Sequence, residues 1–386
     1  MRKTIAILTV EEFDFNKYGG FGMVAKTIAK MLKEEKINTV IIDVSQGESL
    51  NPKFSDGVPV YFIRKKQDGI FKQIAEEIIS FFRLVQTVKK LNISTLICIS
   101  EWVAEYCILL KYFCPNTKRI LWFQDIRTEE DWRKIFTVEE EKRIVCGDHP
   151  KRFWWILRIK KFLRKYSIRR MNLCLAQSHY LQEKAIQVYS LKKGAVKTLP
   201  NPVRVPDISK IKKSNYPIVI FLGRLDPIKR PWLFCELARR FPEVQFLVMG
   251  ISHFPKLVNP KLQSFRKLKN LQFLGLITGM KKEEILRRSW ILVNTSIYES
   301  LPVSFLEALA NRMAILSCQN PDNIVSRFGY YTGPPTGEDE EVEKFQKGLS
   351  FLLEKNHWVT LGSKGYQYIK EVADYEIIKT QIISIL

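Results

Sequence analysis

Two glutamates at a strand-to-helix junction are the residues of this chain best placed to do chemistry. The stretch Tyr298, Glu299, Ser300, Leu301, Pro302, Val303, Ser304, Phe305, Leu306, Glu307 directly follows the apolar run Ile291 to Ser296. Pro302 suits the first turn of a helix, because the N–H it lacks is one that the turn leaves unpaired in any case. Glu299 then lies on the loop at the strand end, and Glu307 sits roughly a turn and a half inside the helix. Free amides at such a start, reached through the loop Ser300, Leu301, Pro302 and Val303, suit a diphosphate. Glu299 and Glu307 can accept hydrogen bonds from the hydroxyls of a sugar and a ribose. Two glutamates eight apart also fit a solvated surface helix, so the spacing alone leaves both readings open.

A second group favours the functional reading. The run Ile218 to Gly223 reads as a strand and continues Arg224, Leu225, Asp226, Pro227, Ile228, Lys229. Arg224 offers a planar fork and Lys229 a point charge, which together suit a diphosphate that grows more negative as its bond to a sugar breaks. Among 62 Lys and Arg, two surface cations would be unremarked, but these stand after a glycine at a strand end.

The first half carries weaker signals. Tyr18, Gly19, Gly20, Phe21 and Gly22 precede an amphipathic run from Met23 to Glu35, and glycines let backbone N–H groups approach phosphate or sugar. A plain turn before a helix explains them nearly as well. A dinucleotide site is a rival, with Asp43 at the end of the second strand as its ribose-binding acid. Against it, the spacing is not GxGxxG, and Gly19 lies nine positions after Val10. The strand Arg119 to Phe123 runs into Gln124 and Asp125, where Gln124 cannot titrate. His149, His179, His253 and His357 form no zinc spacing, Ser178 reads as a helix cap before His179, and no Asp-X-Asp pair follows a strand. Neither a metal nor a cofactor is expected, with Arg224 and Lys229 standing where a divalent ion would.

Positioning these residues takes a particular set of elements. Thr4 to Val10, Thr39 to Val44, Val58 to Arg64, Thr95 to Ser100, Arg119 to Phe123 and Asn172 to Gln177 read as buried strands. Between them lie helical stripes such as Ile74, Ile78, Phe81, Val85 and Val88. The alternation predicts a parallel sheet flanked by helices. It restarts after the proline-rich stretch 200–217 with Ile218 to Gly223, Val244 to Gly250, Leu271 to Leu276, Ile291 to Ser296 and Ala314 to Ser317. A chain of 386 residues exceeds one core. The expected architecture is α/β, with two Rossmann-like doubly wound domains facing a central cleft. Residues 1–203 form the first domain and 204–372 the second, followed by an apolar segment over 373–386.

Arg224 and Lys229, followed by Glu299 and Glu307 at a helix start, resemble the donor-site signature of retaining glycosyltransferases of family 4, which have the GT-B fold. The resemblance covers most of the chain and is strongest from 217 to 318. It implies that Arg224 and Lys229 bind the donor diphosphate, Glu299 contacts the sugar, Glu307 holds the ribose, and Gly19 and Gly20 line the pocket; it also implies that 1–203 is the acceptor-side domain, that 204–372 is the nucleotide-sugar-binding domain, and that a helix over 373–386 packs back on the first. It further implies transfer of a hexose from a UDP- or GDP-sugar to a glycan or lipid-linked acceptor, in the synthesis of cell-surface polysaccharide or glycolipid. Two positions depart from the family: Ser300 stands where it usually has Gly, and Gln124 where many members have His. In a retaining front-face reaction the departing phosphate takes the acceptor proton, so Gln124 need only hydrogen-bond the sugar. A nucleotide-sugar epimerase, or a non-catalytic basic protein that binds membrane or nucleic acid, are the competing readings.

Charge and composition bound the partners. Lys and Arg outnumber Asp and Glu by 62 to 40, a net charge of +22 that attracts anionic partners. Between Lys151 and Arg170 lie nine Lys or Arg, no acid, and the stripe Trp155, Ile159, Phe162, Tyr166. This segment fits either a helix on an anionic membrane or one whose stripe packs on the first domain while its cations stay solvated. Nucleic acid is not expected, since no binding motif accompanies the charge. Seven cysteines without a CxxC pair suit a reducing compartment, and Glu11 and Glu12 interrupt the N-terminal apolar run before a signal peptide could form. A cytoplasmic location follows, peripheral to the inner membrane face if the basic segment docks there.

Overall fold

The computed structural model describes residues 3–11, 19–47, 51–65, 70–146 and 150–386. The strands, in chain order, are β1 Thr4–Thr9, β2 Thr39–Gly47, β3 Lys53–Ser55, β4 Val58–Lys65, β5 Ile93–Ile99, β6 Lys118–Phe123, β7 Leu173–Ala176 and β8 Val196–Thr198, then β9 Ile218–Leu222, β10 Gln245–Met249, β11 Leu271–Gly275, β12 Ile291–Asn294, β13 Ala314–Ser317 and β14 Gly329–Tyr331. The first eight make one sheet in the order β3-β4-β2-β1-β5-β6-β7-β8, and the other six make a second in the order β11-β10-β9-β12-β13-β14. All pairings are parallel except β3 with β4. Parallel sheets are covered on both faces, which is why these strands read as unbroken apolar runs. All six residues of β1 are buried.

The chain divides into two compact units, each holding one sheet. The first comprises Met1–Ile126, His149–Pro202 and Ile378–Leu386, and the second Arg127–Asp148 and Val203–Ile377. The excursion from Arg127 to Asp148 departs from the expectation that 1–203 form one domain. Its causes are specific contacts: Lys261 Nζ pairs with Glu140 at 2.7 Å, and the Glu141 carboxylate accepts the Ile228 amide. The terminal helix Tyr375–Ser384 begins in the second unit and ends in the first, where Lys379 pairs with Glu35 and Lys118 donates to the Ile385 carbonyl.

Apolar residues of β1, β2, β5, β6 and β7 build the first core, and the two faces of the second sheet carry a cluster each. Ser178 accepts the Leu181 amide and so caps the helix His179–Tyr189. The described cysteines are free.

Two helices of the first unit bear on the apolar stripes read from the sequence. In Ile70–Lys90, Val85 and Val88 are buried, but Ile78 is exposed; the Ile74 side chain lies outside what is described. In Pro150–Ile168 the stripe Trp155, Ile159, Phe162 does not pack on the sheet. Trp155 is 66% exposed and Phe162 70%, whereas Arg164 is 3% exposed and pairs with buried Glu105. A buried carboxylate demands a cation more strongly than the unit demands one more apolar stripe, so the helix turns Arg164 inward.

Candidate active site

In the second sheet β9 is followed by a strand on one side, β10, while β12 pairs on its other side. The crevice outside the carboxyl ends of strands at such a reversal is where open α/β sheets bind ligands. Arg224 and Lys229 lie on the loop after β9, and Glu299 on the loop after β12. The two loops are stitched together by their backbones: Thr295 Oγ1 donates to the carbonyls of Lys229 and Arg230, and the Ile297 amide donates to the Ile228 carbonyl at 2.9 Å.

Beneath them Arg230 is buried in a left-handed conformation, φ 46°. Its guanidinium holds both oxygens of the buried Glu341 carboxylate while Nε donates to the Thr295 carbonyl at 2.8 Å. This planar fork fixes the loop carrying Lys229 to the helix Glu338–Leu353. No sequence signal marked the pair, because 111 positions separate its members.

At the surface of this scaffold Lys229 Nζ bonds the Glu299 carboxylate. The same oxygen, Oε1, accepts Ser296 Oγ at 2.6 Å and Asn294 Nδ2 at 3.1 Å. Burial works against charge on Glu299, but the field of Lys229 and the three hydrogen bonds outweigh it and hold the carboxyl below its ordinary value. Glu299 is therefore an ionised acceptor. Asn294, Thr295 and Ser296 were missed as site residues; their signal was three successive polar residues closing an apolar strand.

Arg224 is a third exposed on the side-chain scale, with Nε 3.3 Å from buried Asp226 and Nη1 3.5 Å from His253 Nδ1. Asp226 also accepts the His253 amide, which ties the loop after β9 to the loop after β10. Gly250 stands between them at φ 153°, and a Cβ there would run into the Gly223 carbonyl. Glu141 adds a buried carboxylate beneath the same loop, pushed up by burial against the opposing fields of Arg127 and Arg224. Arg127 lies over the rings of Trp132 and Tyr298, next to Glu299.

The helix Val303–Ala310 starts one residue later than expected: Pro302 is its N-cap, at φ −68° and ψ 138°, with no side chain capping the first turn. Glu307 is the fifth residue of this helix, and its carboxylate holds Lys282 Nζ at 2.7 Å. Ser300 and Leu301 are buried, and the Ser300 hydroxyl lies 3.4 Å from Tyr298 Oη. Thus Lys229 and Glu299 are in direct contact, Arg224 shares their loop, and Glu307 stands on the neighbouring helix with a lysine of its own.

The remaining candidates lie in the first unit. Gln124 follows β6 in a buried amide cluster: Asn201 Nδ2 donates to Gln124 Oε1 at 2.8 Å and to Gln177 Oε1 at 2.6 Å. Gln177 in turn donates to the Gln124 carbonyl. Gly19 caps the helix Gly20–Glu34, and a Cβ on it would collide with the Glu11 carboxylate; Gly20 has open space. Tyr18 lies outside the described residues. Asp43, the acid of the rival dinucleotide reading, is fully buried and accepts the Ser45 amide within its own chain segment.

Residues 206–356, which span the two loops and both glutamates, match the family model of glycosyl transferases group 1. This segment is similar to the group 1 glycosyltransferases. The chain is 25% identical over 293 residues to the O-antigen biosynthesis glycosyltransferase WbnH of Escherichia coli, covering 76% of this chain and 75% of that one. The probable O-antigen biosynthesis glycosyltransferase WbiN of the same species matches to the same extent. Among solved structures, HepE of Anabaena in complex with UDP and glucose superposes with a TM-score of 0.71 at 16% identity over 98% of both chains. Sucrose-phosphate synthase of Thermosynechococcus elongatus gives 0.73 at 14% identity, over 100% of this chain and 98% of that one. The chain has the GT-B fold these neighbours share, as the resemblance implied.

Proposed function

We propose that this chain moves a hexose, with retention at the anomeric carbon, from a UDP- or GDP-sugar to a glycan or lipid-linked acceptor in cell-surface polysaccharide synthesis. The observation that carries this reading is the meeting of Lys229 with an ionised Glu299 at the reversal point of the second sheet, with Arg224 on the same loop. Relatives named for O-antigen biosynthesis support the product class, and a neighbour in complex with UDP and glucose supports the donor class.

In this mechanism Arg224 and Lys229 take up the negative charge that develops on the diphosphate as the bond to the sugar breaks, with no divalent ion required. Glu299 accepts hydrogen bonds from the sugar hydroxyls and Glu307 from the ribose. The departing phosphate oxygen receives the acceptor proton while the new glycosidic bond forms on the face it leaves.

The test is a melting-temperature screen of nucleotide diphosphates and their sugars, followed by analysis of the transfer product. Arg224→Ala and Glu307→Ala should each lower donor turnover about 10²-fold or more with the fold intact. Unchanged turnover in both variants removes the assignment. Sugar isomerised without any acceptor would point to an epimerase instead.

A further inference from the structure

The apolar face that Pro150–Ile168 turns outward is not isolated. Trp155, Ile159 and Phe162, spaced by four and three, form one row on the side of the helix away from buried Arg164. On the adjacent helix Ile70–Lys90, Ile78, Ile79 and Phe82 are exposed as well. The two helices are joined where Lys160 Nζ meets Glu77 at 2.7 Å, one residue from Ile159 and Ile78. A third piece, the short helix Leu110–Phe113, adds exposed Tyr112 and Phe113, with Tyr112 Oη 2.6 Å from Tyr166 Oη.

Cations border this surface. Arg158 and Lys165 flank Phe162 on the basic helix at spacings of four and three, with Lys165 also donating to Ser190 Oγ, and Lys89 Nζ lies 5.9 Å from the Phe113 ring centroid. Acids on the segment 151–170 are absent from the sequence, and Glu77 and Glu105 beneath it are engaged by Lys160 and Arg164. A face that shows aromatic and aliphatic tips between cations, with its acids neutralised from below, is complementary to one chemistry: negative headgroups over an apolar layer. No described helix is long and apolar enough to cross a membrane, so the contact lies in the plane of the surface.

We propose that this face of the first unit is a docking surface for a bilayer containing anionic lipid, with Trp155 and Phe162 inserted at the headgroup boundary and the cations at the phosphates. The inference stands apart from the donor-site reading, since it uses none of the same residues.

Flotation of the full chain with vesicles tests it. With equal parts phosphatidylglycerol and phosphatidylcholine the protein should float at low salt and be released as salt is raised; with phosphatidylcholine alone it should stay in solution. Trp155→Glu combined with Phe162→Glu should weaken anionic binding at least about tenfold, and Phe82→Glu on the neighbouring helix should do so independently. Melting shifts on adding a nucleotide diphosphate should be unchanged in these variants, which separates failure here from failure of the donor site. Wild-type protein that ignores anionic vesicles overturns the proposal, as does undiminished binding in the folded variants. A dimer in solution that Trp155→Glu with Phe162→Glu dissociates would assign the face to a second copy and overturn it equally.

Discussion

At the scale of single residues, one buried and one part-buried glutamate have opposite electrostatics and make opposite predictions. Glu299 is charged because Lys229, Ser296 and Asn294 outweigh its burial. Glu299→Gln keeps the shape and two donors' partner but frees Lys229, so kcat should fall roughly 10²-fold while the donor KM does not rise. Steady-state kinetics at varied donor would show the split, and an equal rise in KM would argue against it. Glu101 lies in the first unit, buried, hydrogen-bonded by Tyr189 Oη. Burial raises its carboxyl from an ordinary 4.5 to about 7, helped by Asp125 and Glu105 and opposed by Arg164 and the Tyr189 hydrogen bond. Its folded form binds the proton more tightly than the unfolded chain, so the associated stability is full below about 4.5 and is lost as pH rises through about 7. Denaturant midpoints measured across that window should decline in the wild type and flatten in Glu101→Gln.

At the scale of elements, the loops after β9, β10 and β12 act as one unit because backbone bonds and Asp226 join them. Gly250 is the point where no side chain fits, since a Cβ would enter the space of the Gly223 carbonyl. Gly250→Ala should cost on the order of 1–3 kcal/mol and displace the neighbouring Arg224. Calorimetry should find a melting temperature lower by about 2–4 °C per kcal/mol, and nucleotide titration a weakened diphosphate affinity. A variant with native affinity would show that the β9 loop is set by something other than this approach.

At the scale of the whole molecule, the chain leaves the first unit at Arg127 and returns to it at His149, and in between it packs on the loop that carries Lys229. Occupation of the proposed donor site should therefore be felt outside the segment 206–356. Hydrogen exchange of the full chain with saturating nucleotide diphosphate should slow in 129–146 together with 225–230. Protection confined to the latter would mean that the excursion is a passive neighbour.

Alternating apolar runs and helical stripes were enough to determine two parallel sheets from sequence, because strands buried on both faces leave a continuous apolar signature. Short pieces escaped: β3, β8 and β14 have three residues each, and three residues make no pattern. The positions of Arg224, Lys229 and Glu299 on loops after strands, and of Glu307 within a helix, were legible because strand ends and helix starts are local features. Three things were decided only in tertiary structure. The Arg230–Glu341 strut joins residues 111 positions apart, the 127–148 excursion depends on contacts with Ile228 and Lys261, and the orientation of Pro150–Ile168 was set by a buried glutamate on another element. In each, a charge removed from water had to find its partner across space, and no local pattern encodes where that partner lies.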